Sequence, residues 1–376
     1  MVRRMSTLRT ALTAALLSLA ACGGGLKLTA IRSTQAKPSN VAVYFKVETS
    51  GGEPIGGLAA DSFKIYEDKE LVSQFESKQT ILNPEVAASH YTLLLVDMSG
   101  SISGSNSVDA LVDAVGTFAD KVEGQQKVGV FAFDGGAELH PIVAFGSAGG
   151  AKAGAKALTG YKPADPSTNL NGAIVKGLAE LDKALANAEH PMRFGTLVVF
   201  SDGTDRARRV SKEDVMKAIG DTKYDVFAIG LGAEMQEAQL KEIGKDGTAR
   251  ADDKAAVVTA FDTIATRIAA RTKSYYLLGY CSPARAGKHE VSITATTKDD
   301  KGNESSGSLT SDFDATGFTP NCDPNQKPSF DLSKGDALAP KKDDPKKDDT
   351  KATVKVDAKA STPAPTPTPQ GETFTP

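Results

Sequence analysis

The chain has 376 residues, a length that suits two domains, and its 40% hydrophobic and 24% charged residues are typical of globular proteins. With 44 Lys and Arg against 47 Asp and Glu, the formal net charge is −3, which disfavours a nucleic-acid-binding protein because such proteins carry a basic surface. The histidines are scattered without the spacing of metal ligands, which also disfavours a zinc module. They are His90, His140, His190 and His289.

The amino-terminal residues have the organisation of an export signal. Three arginines precede an apolar run at 11–21, about half as long as a membrane-spanning helix requires, which predicts a signal peptide over residues 1–21. The run ends in Leu-Ala-Ala-Cys, which resembles the lipobox of bacterial lipoproteins and implies cleavage before Cys22 and lipid (palmitate) modification of its thiol. An ordinary signal peptide with a chance cysteine is the alternative.

The lipobox resemblance also implies a location. Residues 22–36 are predicted to be the lipidated cysteine and a tether, which begins with three glycines. Gly23 stands where lipoproteins that stay at the inner membrane would have Asp. We therefore expect an exported protein that is lipid-anchored in the bacterial envelope, at the outer membrane.

Two flanking segments, 37–84 and 274–322, have β-strand character. Apolar and polar residues alternate at 63–67 and 289–296, and glycine-rich turns separate the runs. Together the segments have about the size of one immunoglobulin-like sandwich. We predict a β-sandwich into which a central domain is inserted. Separate small β-elements packed on the central domain are the alternative.

Residues 89–273 alternate between strand and helix patterns. Short, continuous apolar runs are typical of strands buried on both faces, and apolar residues at helical spacing indicate amphipathic helices. The predicted strands are 91–96, 127–133, 139–145, 196–200 and 224–231, and the predicted helices are 108–122, 170–188, 211–219, 237–243 and 254–272. This alternation implies an α/β fold, a doubly wound and mostly parallel sheet with helices on both faces.

Polar loops follow two of these strands and precede the long helix. Asp97, Ser99 and Ser101 follow the first strand in a D-x-S-x-S pattern, Thr168 stands before the helix at 170, and Asp202 follows the strand at 196–200. In this order the loops resemble the von Willebrand factor type A (vWA) domain and its metal-ion-dependent adhesion site (MIDAS). The resemblance covers residues 89–273.

The resemblance assigns roles to these five side chains. It implies that Ser99, Ser101 and Thr168 bind a metal ion directly, while Asp97 and Asp202 act through bound waters and hydrogen bonds. Carboxylate and hydroxyl oxygens suit Mg²⁺, with Mn²⁺ or Ca²⁺ as substitutes. Neutral direct ligands leave the ion a replaceable water, whose place an Asp or Glu of a protein partner takes. A vestigial site, in which the aspartates only cap loops, is the alternative.

Neither catalysis nor nucleotide binding is predicted from the sequence. The set contains no nucleophile with an adjacent base, so we predict a binding protein and not an enzyme. The Gly/Ala/Lys segment 149–156 lacks the Gly-Lys-Ser/Thr of a phosphate-binding loop, so no nucleotide is expected. Arg206, Arg208 and Arg209 follow Asp202 and are candidates for a rim that attracts an acidic partner, or are simply a solvated face.

The remaining features lie towards the carboxyl end. Export implies an oxidising compartment, in which Cys281 and Cys322 are expected to form a disulfide, although two free thiols are the alternative. Residues 329–376 are rich in Lys/Asp and then Pro/Thr and are predicted to be a disordered tail. Residues 54–68 resemble the segment that precedes the A domain in bacterial von Willebrand factor A-related proteins.

Together these features predict a lipid-anchored, divalent-metal-dependent protein-binding module of the bacterial envelope, acting in adhesion or assembly. Its expected partners are the membrane, through the N-terminal lipid, and a protein that presents Asp or Glu. The alternative is a structural envelope lipoprotein whose metal site is incidental.

Overall fold

The structure is a computed structural model that describes residues 25–330, except 83, 85, 86, 105, 106, 148, 191, 233, 299, 300, 324 and 325. The predicted signal peptide, the lipidation site Cys22 and the tail from 331 onward lie outside the described residues. Among those that are described, no helix is both long enough and apolar enough to cross a membrane.

A six-stranded sheet with helices on both faces forms the central domain. Its strands are β6 (Ala88–Asp97), β7 (Lys127–Phe133), β8 (His140–Val143), β9 (Met192–Ser201), β10 (Asp225–Leu231) and β11 (Gly247–Ala251). Its helices are α1 (Gly100–Ser103), α2 (Val108–Val122), α3 (Gly150–Gly154), α4 (Leu170–Ala186), α5 (Lys212–Asp221), α6 (Glu237–Ile243) and α7 (Val257–Lys273). The strand order is β11-β10-β9-β6-β7-β8, and neighbours are parallel except β8, which is antiparallel to β7. The predicted doubly wound, mostly parallel sheet is confirmed.

The continuous apolar runs of the central strands have a direct structural cause. Leu94 and Val96 of β6 share a core cluster with α2 and α7, whereas Leu93 and Leu95 share one with α4, α5 and α6. Because successive side chains of a strand point to opposite faces, a strand covered on both faces needs apolar residues at every position.

The two flanks of the central domain contribute antiparallel strands to a sandwich. These strands are β1 (Leu26–Ala36), β2 (Asn40–Thr49), β3 (Phe63–Glu67), β4 (Glu70–Leu71), β5 (Thr80–Leu82), β12 (Tyr275–Cys281), β13 (Lys288–Lys298) and β14 (Glu304–Asp314). They form two sheets, ordered β1-β2-β12-β5 and β14-β13-β3-β4. Phe45 and Leu278 from the first sheet share one core with Ile65 and Ile293 from the second. The predicted Cys281–Cys322 disulfide is present, with a Cα–Cα distance of 5.8 Å.

Two boundary predictions are wrong. Residues Leu26–Ala36, predicted to be part of a tether, form β1 and pair with β2 along its whole length, because Leu26, Leu28 and Ala30 pack on the sandwich core. The predicted disordered tail begins too early, since Phe330 is buried with residues of the sandwich and the Ser329 carbonyl accepts a hydrogen bond from Thr34.

The contact between sandwich and central domain orients the molecule. On the outer face of the first sheet, Ala42, Tyr44 and Leu277 pack with Ala88 and Met192, which lie at the amino ends of β6 and β9. The carboxyl ends of these parallel strands therefore lie at the end of the central domain that faces away from the sandwich. That edge is where the predicted metal ligands are expected.

Candidate metal site

Three loops meet at the carboxyl edge of the central sheet. Asp97 is the last residue of β6, and α1 begins three residues later at Gly100. Its neighbour β9 ends at Ser201, directly before Asp202. Thr168 precedes Asn169, whose side chain caps the amino end of α4 by accepting a hydrogen bond from the Gly172 N–H.

Four of the five predicted side chains are joined by hydrogen bonds. The buried Asp97 carboxylate accepts from the Ser99 N–H through Oδ1 at 2.9 Å and from the Ser201 hydroxyl through Oδ2 at 2.6 Å. The Ser99 and Ser101 hydroxyl oxygens lie 3.2 Å apart, and Ser101 hydrogen bonds to the carboxylate of Asp202. Since Ser101 is exposed while Asp97 is not, the cluster has a buried floor and a side open to solvent.

Thr168 is held in this group by its backbone. Its carbonyl accepts hydrogen bonds from the N–H groups of Arg206 at 2.9 Å and Ala207 at 3.0 Å, in the loop after Asp202. The preceding Pro166 carbonyl accepts from the Gly100 N–H at 2.9 Å. The loop that carries Thr168 is therefore attached to both loops that carry the aspartates, and the Thr168 side chain is buried.

The electrostatics of the cluster favour a bound cation. Burial raises the pKa of Asp97 to about 6, although hydrogen bonds from Ser201 and Ser99 oppose the rise and repulsion by Asp202 adds to it. Burial also raises the pKa of Asp202, against a hydrogen bond from Ser101. Two partly desolvated carboxylates beside the hydroxyls of Ser99 and Ser101, with the Thr168 loop attached, fit a hard divalent cation, which would neutralise the carboxylates. Within the described residues no three His, Cys, Asp or Glu side chains form a metal-binding group, so such a site depends on the hydroxyls.

Two of the three predicted rim arginines are engaged by neighbouring groups. Arg206 forms an ion pair with Glu234. Arg209 donates from Nε to the Gly135 carbonyl at 2.6 Å and lies 3.3 Å from Asp165. Arg208 is exposed, with a left-handed backbone (φ 51°) whose N–H donates to Asp205. The attraction of an acidic partner by this rim stays a prediction.

Asp134 is a residue of the site region that the sequence reasoning missed. Its buried carboxylate accepts hydrogen bonds from the Gly136 N–H at 2.6 Å, the Tyr161 hydroxyl at 3.0 Å and the Ala164 N–H at 2.8 Å. Its carbonyl accepts from the Asn169 N–H at 3.0 Å, next to Thr168. An Asp directly after the predicted strand 127–133, at the same sheet edge, was a usable signal for this residue.

Comparison with known proteins gave a family match within the central domain. The family model described as von Willebrand factor type A domain matches residues 93–268. A comparison with curated proteins found no match.

Similar solved structures include a von Willebrand factor type A protein from Catenulispora acidiphila, at 12% identity over 76% of this chain and 72% of that one, with a TM-score of 0.42. Proximal thread matrix protein 1 from the mussel byssus has 15% identity over 49% of each chain, with a TM-score of 0.42. The manganese-loaded TRAP protein of Plasmodium vivax has 15% identity over 64% of this chain and 98% of that one, with a TM-score of 0.41. This chain spans about half the length of the mussel protein. The family match and the observed topology together identify residues 93–268 as a von Willebrand factor type A domain.

Proposed function

We propose that this chain is a lipid-anchored, divalent-metal-dependent protein-binding module of a bacterial envelope. The observation that carries the proposal is the group formed by the Asp97 and Asp202 carboxylates with the Ser99 and Ser101 hydroxyls, to which the Thr168 loop is attached, at the sheet edge that faces away from the sandwich. A carboxylate of the partner completes the metal shell. The lipid anchor at Cys22 and the outer-membrane location rest on the amino-terminal sequence.

Each residue of the cluster has a defined part in this proposal. The hydroxyls of Ser99, Ser101 and Thr168 would hold the ion, and the carboxylates of Asp97 and Asp202 would balance its charge and orient those hydroxyls. When bound, a Mg²⁺ or Mn²⁺ ion supplies an electrophilic position that a carboxylate can occupy. Because Ser101 is exposed, a partner residue can approach from the solvent side.

The proposal is one of binding and not of catalysis. The groups gathered at the site are carboxylates and hydroxyls, and none of the four histidines belongs to it, since His190 lies just before the amino end of β9. His90 is near the amino end of β6, His140 begins the edge strand β8, and His289 lies in the sandwich. Histidine, the commonest general base, is therefore not part of the cluster.

The anchor and the site would then lie at different parts of the molecule. Leu26, where β1 starts, is the fourth residue after Cys22, and an extended chain covers about 3.5 Å per residue. This end of the sandwich would stay within about 14 Å of the lipid. The A domain would be held to the membrane through the sandwich, with its metal-site edge turned away from the contact between them.

Partner capture with a matched pair of variants tests the proposal. The full chain serves as bait for envelope extract in Mg²⁺ and in EDTA, alongside Asp97→Asn and Asp225→Asn. Asp225 is the control because it is a half-buried carboxylate at the opposite end of the same sheet, 3.3 Å from Arg271. We expect one partner to be retained by wild type and Asp225→Asn in Mg²⁺ only. Thermal unfolding in EDTA verifies that both variants are folded.

Two results would contradict the proposal. Partners retained equally in EDTA and by Asp97→Asn would favour the alternative, a structural envelope lipoprotein that uses its sandwich. The absence of any Mg²⁺- or Mn²⁺-induced rise in the melting temperature of the wild type, relative to Asp97→Asn, would remove the metal from the function.

A further inference from the structure

A groove of about 540 Å³ runs between α5 and α6, on the face of the central sheet that α4 also covers. Part of its lining comes from Thr204 and Asp205, which follow shortly after Asp202 in the same loop. Asn171, three residues after Thr168, also lines it. The groove therefore adjoins two of the three loops of the proposed metal site. We refer to it as the α5–α6 groove.

The groove offers apolar surface to a ligand. Its accessible apolar side chains are Val210 and Met216, which are half-buried, and Ala238, which is exposed. Behind them, Val215 and Ile243 are buried in the core that α5 and α6 share. Methionine adapts its shape to what packs on it, so this surface suits an apolar side chain of a ligand.

The loop after Asp202 fixes the backbone of one arginine, Arg208, at the groove. Arg208 has a left-handed backbone (φ 51°), and its N–H donates to Oδ2 of Asp205 at 3.0 Å. Oδ1 of Asp205 accepts the Asn171 N–H at 3.0 Å, and the Asn171 amide donates to the Val210 carbonyl at 3.1 Å. Both sides of the Arg208 segment are thus attached to the start of α4, which lowers the ordering cost of binding there.

The charge that remains unpaired in the groove belongs to Arg208. Its guanidinium group makes no hydrogen bond or ion pair with the part of the chain that the structure describes. Lys212 and Glu242, which also line the groove, pair with each other at 2.7 Å. The Asp205 carboxylate is used by two backbone N–H groups at the amino end of α4, where a negative charge is favoured. The complementary ligand group is therefore an anion.

We propose, as an extension of the proposed function on which it rests, that the α5–α6 groove binds the part of the protein partner that flanks its metal-binding carboxylate. In this segment an apolar side chain packs on Met216, and a second Asp or Glu pairs with Arg208. This second acidic residue and the apolar residue would give the site its specificity, because the metal alone accepts any accessible carboxylate.

The short path between the two contacts favours one continuous segment as the occupant. Arg208 directly follows Ala207, whose N–H donates to the Thr168 carbonyl at 3.0 Å. The Arg208 backbone therefore lies within about 8 Å of that carbonyl, and an extended chain covers this distance in two to three residues. With the reach of the side chains included, we expect the second acidic residue about two to four residues from the first.

Fluorescein-labelled peptides test this proposal by anisotropy with the full chain, in Mg²⁺ and in EDTA. Each probe has a glutamate, a leucine beside it, and a second glutamate two, three or four residues away. The controls replace the leucine with serine or the second glutamate with glutamine. We expect the leucine to tighten Mg²⁺-dependent binding by about tenfold, as for a half-buried side chain. The second glutamate should add about threefold, as for an exposed ion pair, and this gain should fall with added salt.

Variants assign each effect to its residue. Arg208→Gln should abolish the gain from the second glutamate, and Met216→Ser the gain from leucine. Arg193→Gln is the matched control, because Arg193 is an exposed arginine at the opposite, amino end of β9, and it should retain both gains. If Met216→Ser fails to fold, Ala238→Glu at the exposed wall replaces it and should remove the leucine gain.

The outcomes separate this inference from the proposed function. Peptides that bind no more tightly in Mg²⁺ than in EDTA would contradict carboxylate binding at the metal, and both proposals would fall. Mg²⁺-dependent binding without either gain, or with gains unchanged in Arg208→Gln and Met216→Ser, would overturn the groove proposal alone. Mg²⁺-dependent self-association that Arg208→Gln removes, seen by sedimentation, would assign the surface to a second copy of the chain and overturn it as well.

Discussion

Replacement of Asp134 by asparagine tests whether the loop framework behind the metal site controls metal affinity. The Asp134 carboxylate accepts three hydrogen bonds, one through Oδ1 from Gly136 and two through Oδ2 from Tyr161 and Ala164. A carboxamide has one acceptor oxygen. Its best orientation keeps the bonds from Tyr161 and Ala164 and turns its NH₂ group towards the Gly136 N–H, so that one buried donor loses its partner.

The expected magnitude follows from this count. Loss of one charge-assisted hydrogen bond with a buried partner left unpaired should lower the free energy of unfolding by about 2–3 kcal/mol. The Asp134 carbonyl also receives the Asn169 N–H, beside Thr168, so movement of this loop displaces a proposed metal ligand. Groups that orient metal ligands typically contribute about 10–100-fold in affinity, and we expect a tenfold loss or more for Mg²⁺.

The measurement has two parts. Urea unfolding in EDTA gives the stability change without metal, and calorimetric titration with Mg²⁺ or Mn²⁺ gives the affinity. Asp182→Asn is the matched control, because Asp182 in α4 also accepts a hydrogen bond from a tyrosine, Tyr224, away from the metal-site edge. It should lower stability without lowering metal affinity. Wild-type affinity in Asp134→Asn, or an equal loss in Asp182→Asn, would refute the reasoning.

Three further predictions concern stability. The double variant Cys281→Ser/Cys322→Ser should lower the free energy of unfolding by about 4 kcal/mol in urea, because the disulfide closes a loop of 41 residues; a stability equal to that of the oxidised wild type would contradict this. Burial lowers the pKa of His90 to about 4, so the unfolded chain binds a proton that the folded chain does not between pH 6.5 and 4. The free energy of unfolding should therefore decrease as the pH is lowered, by about 2 kcal/mol between pH 7 and 4.5, a figure reduced slightly because the ring is partly exposed. His90→Gln should remove this pH dependence. Gly177→Ala should lower the free energy of unfolding by about 1 kcal/mol, because the added methyl group would lie 2.7 Å from a leucine methyl of β6. The control Gly220→Ala in α5 would meet no atom within 4 Å, so in the same unfolding assay it should be neutral or stabilising by up to about 1 kcal/mol.

Local patterns were sufficient to predict the central domain. The continuous apolar runs that became β6 and β9 are a consequence of burial on both faces, and that signal is contained in a few consecutive residues. The helix predicted at 211–219 is present as Lys212–Asp221 and begins after Ser211, whose hydroxyl caps it by accepting the Asp214 N–H. The order of the loops around Asp97 and Asp202 is likewise a property of the sequence, because parallel strands end at one edge.

Elements whose stability comes from distant partners were missed or misassigned. The strand Gly247–Ala251 has no apolar run and exists because it pairs with β10. The segment Leu26–Ala36 is mostly half-exposed, so its composition resembles that of a linker, and its strand form depends on pairing with β2. An edge strand takes part of its stability from its neighbour, which its own residues do not reveal.

The sequence by itself determined the fold class, the positions of the polar loops and the cysteine pair, because periodicity, loop order and composition are local quantities. Only the tertiary structure decided that Asp134 supports the Thr168 loop, since its contacts with Tyr161 and Asn169 join residues far apart in the chain. Burial and hydrogen-bond satisfaction depend on which segments pack together, and packing is a property of the whole fold.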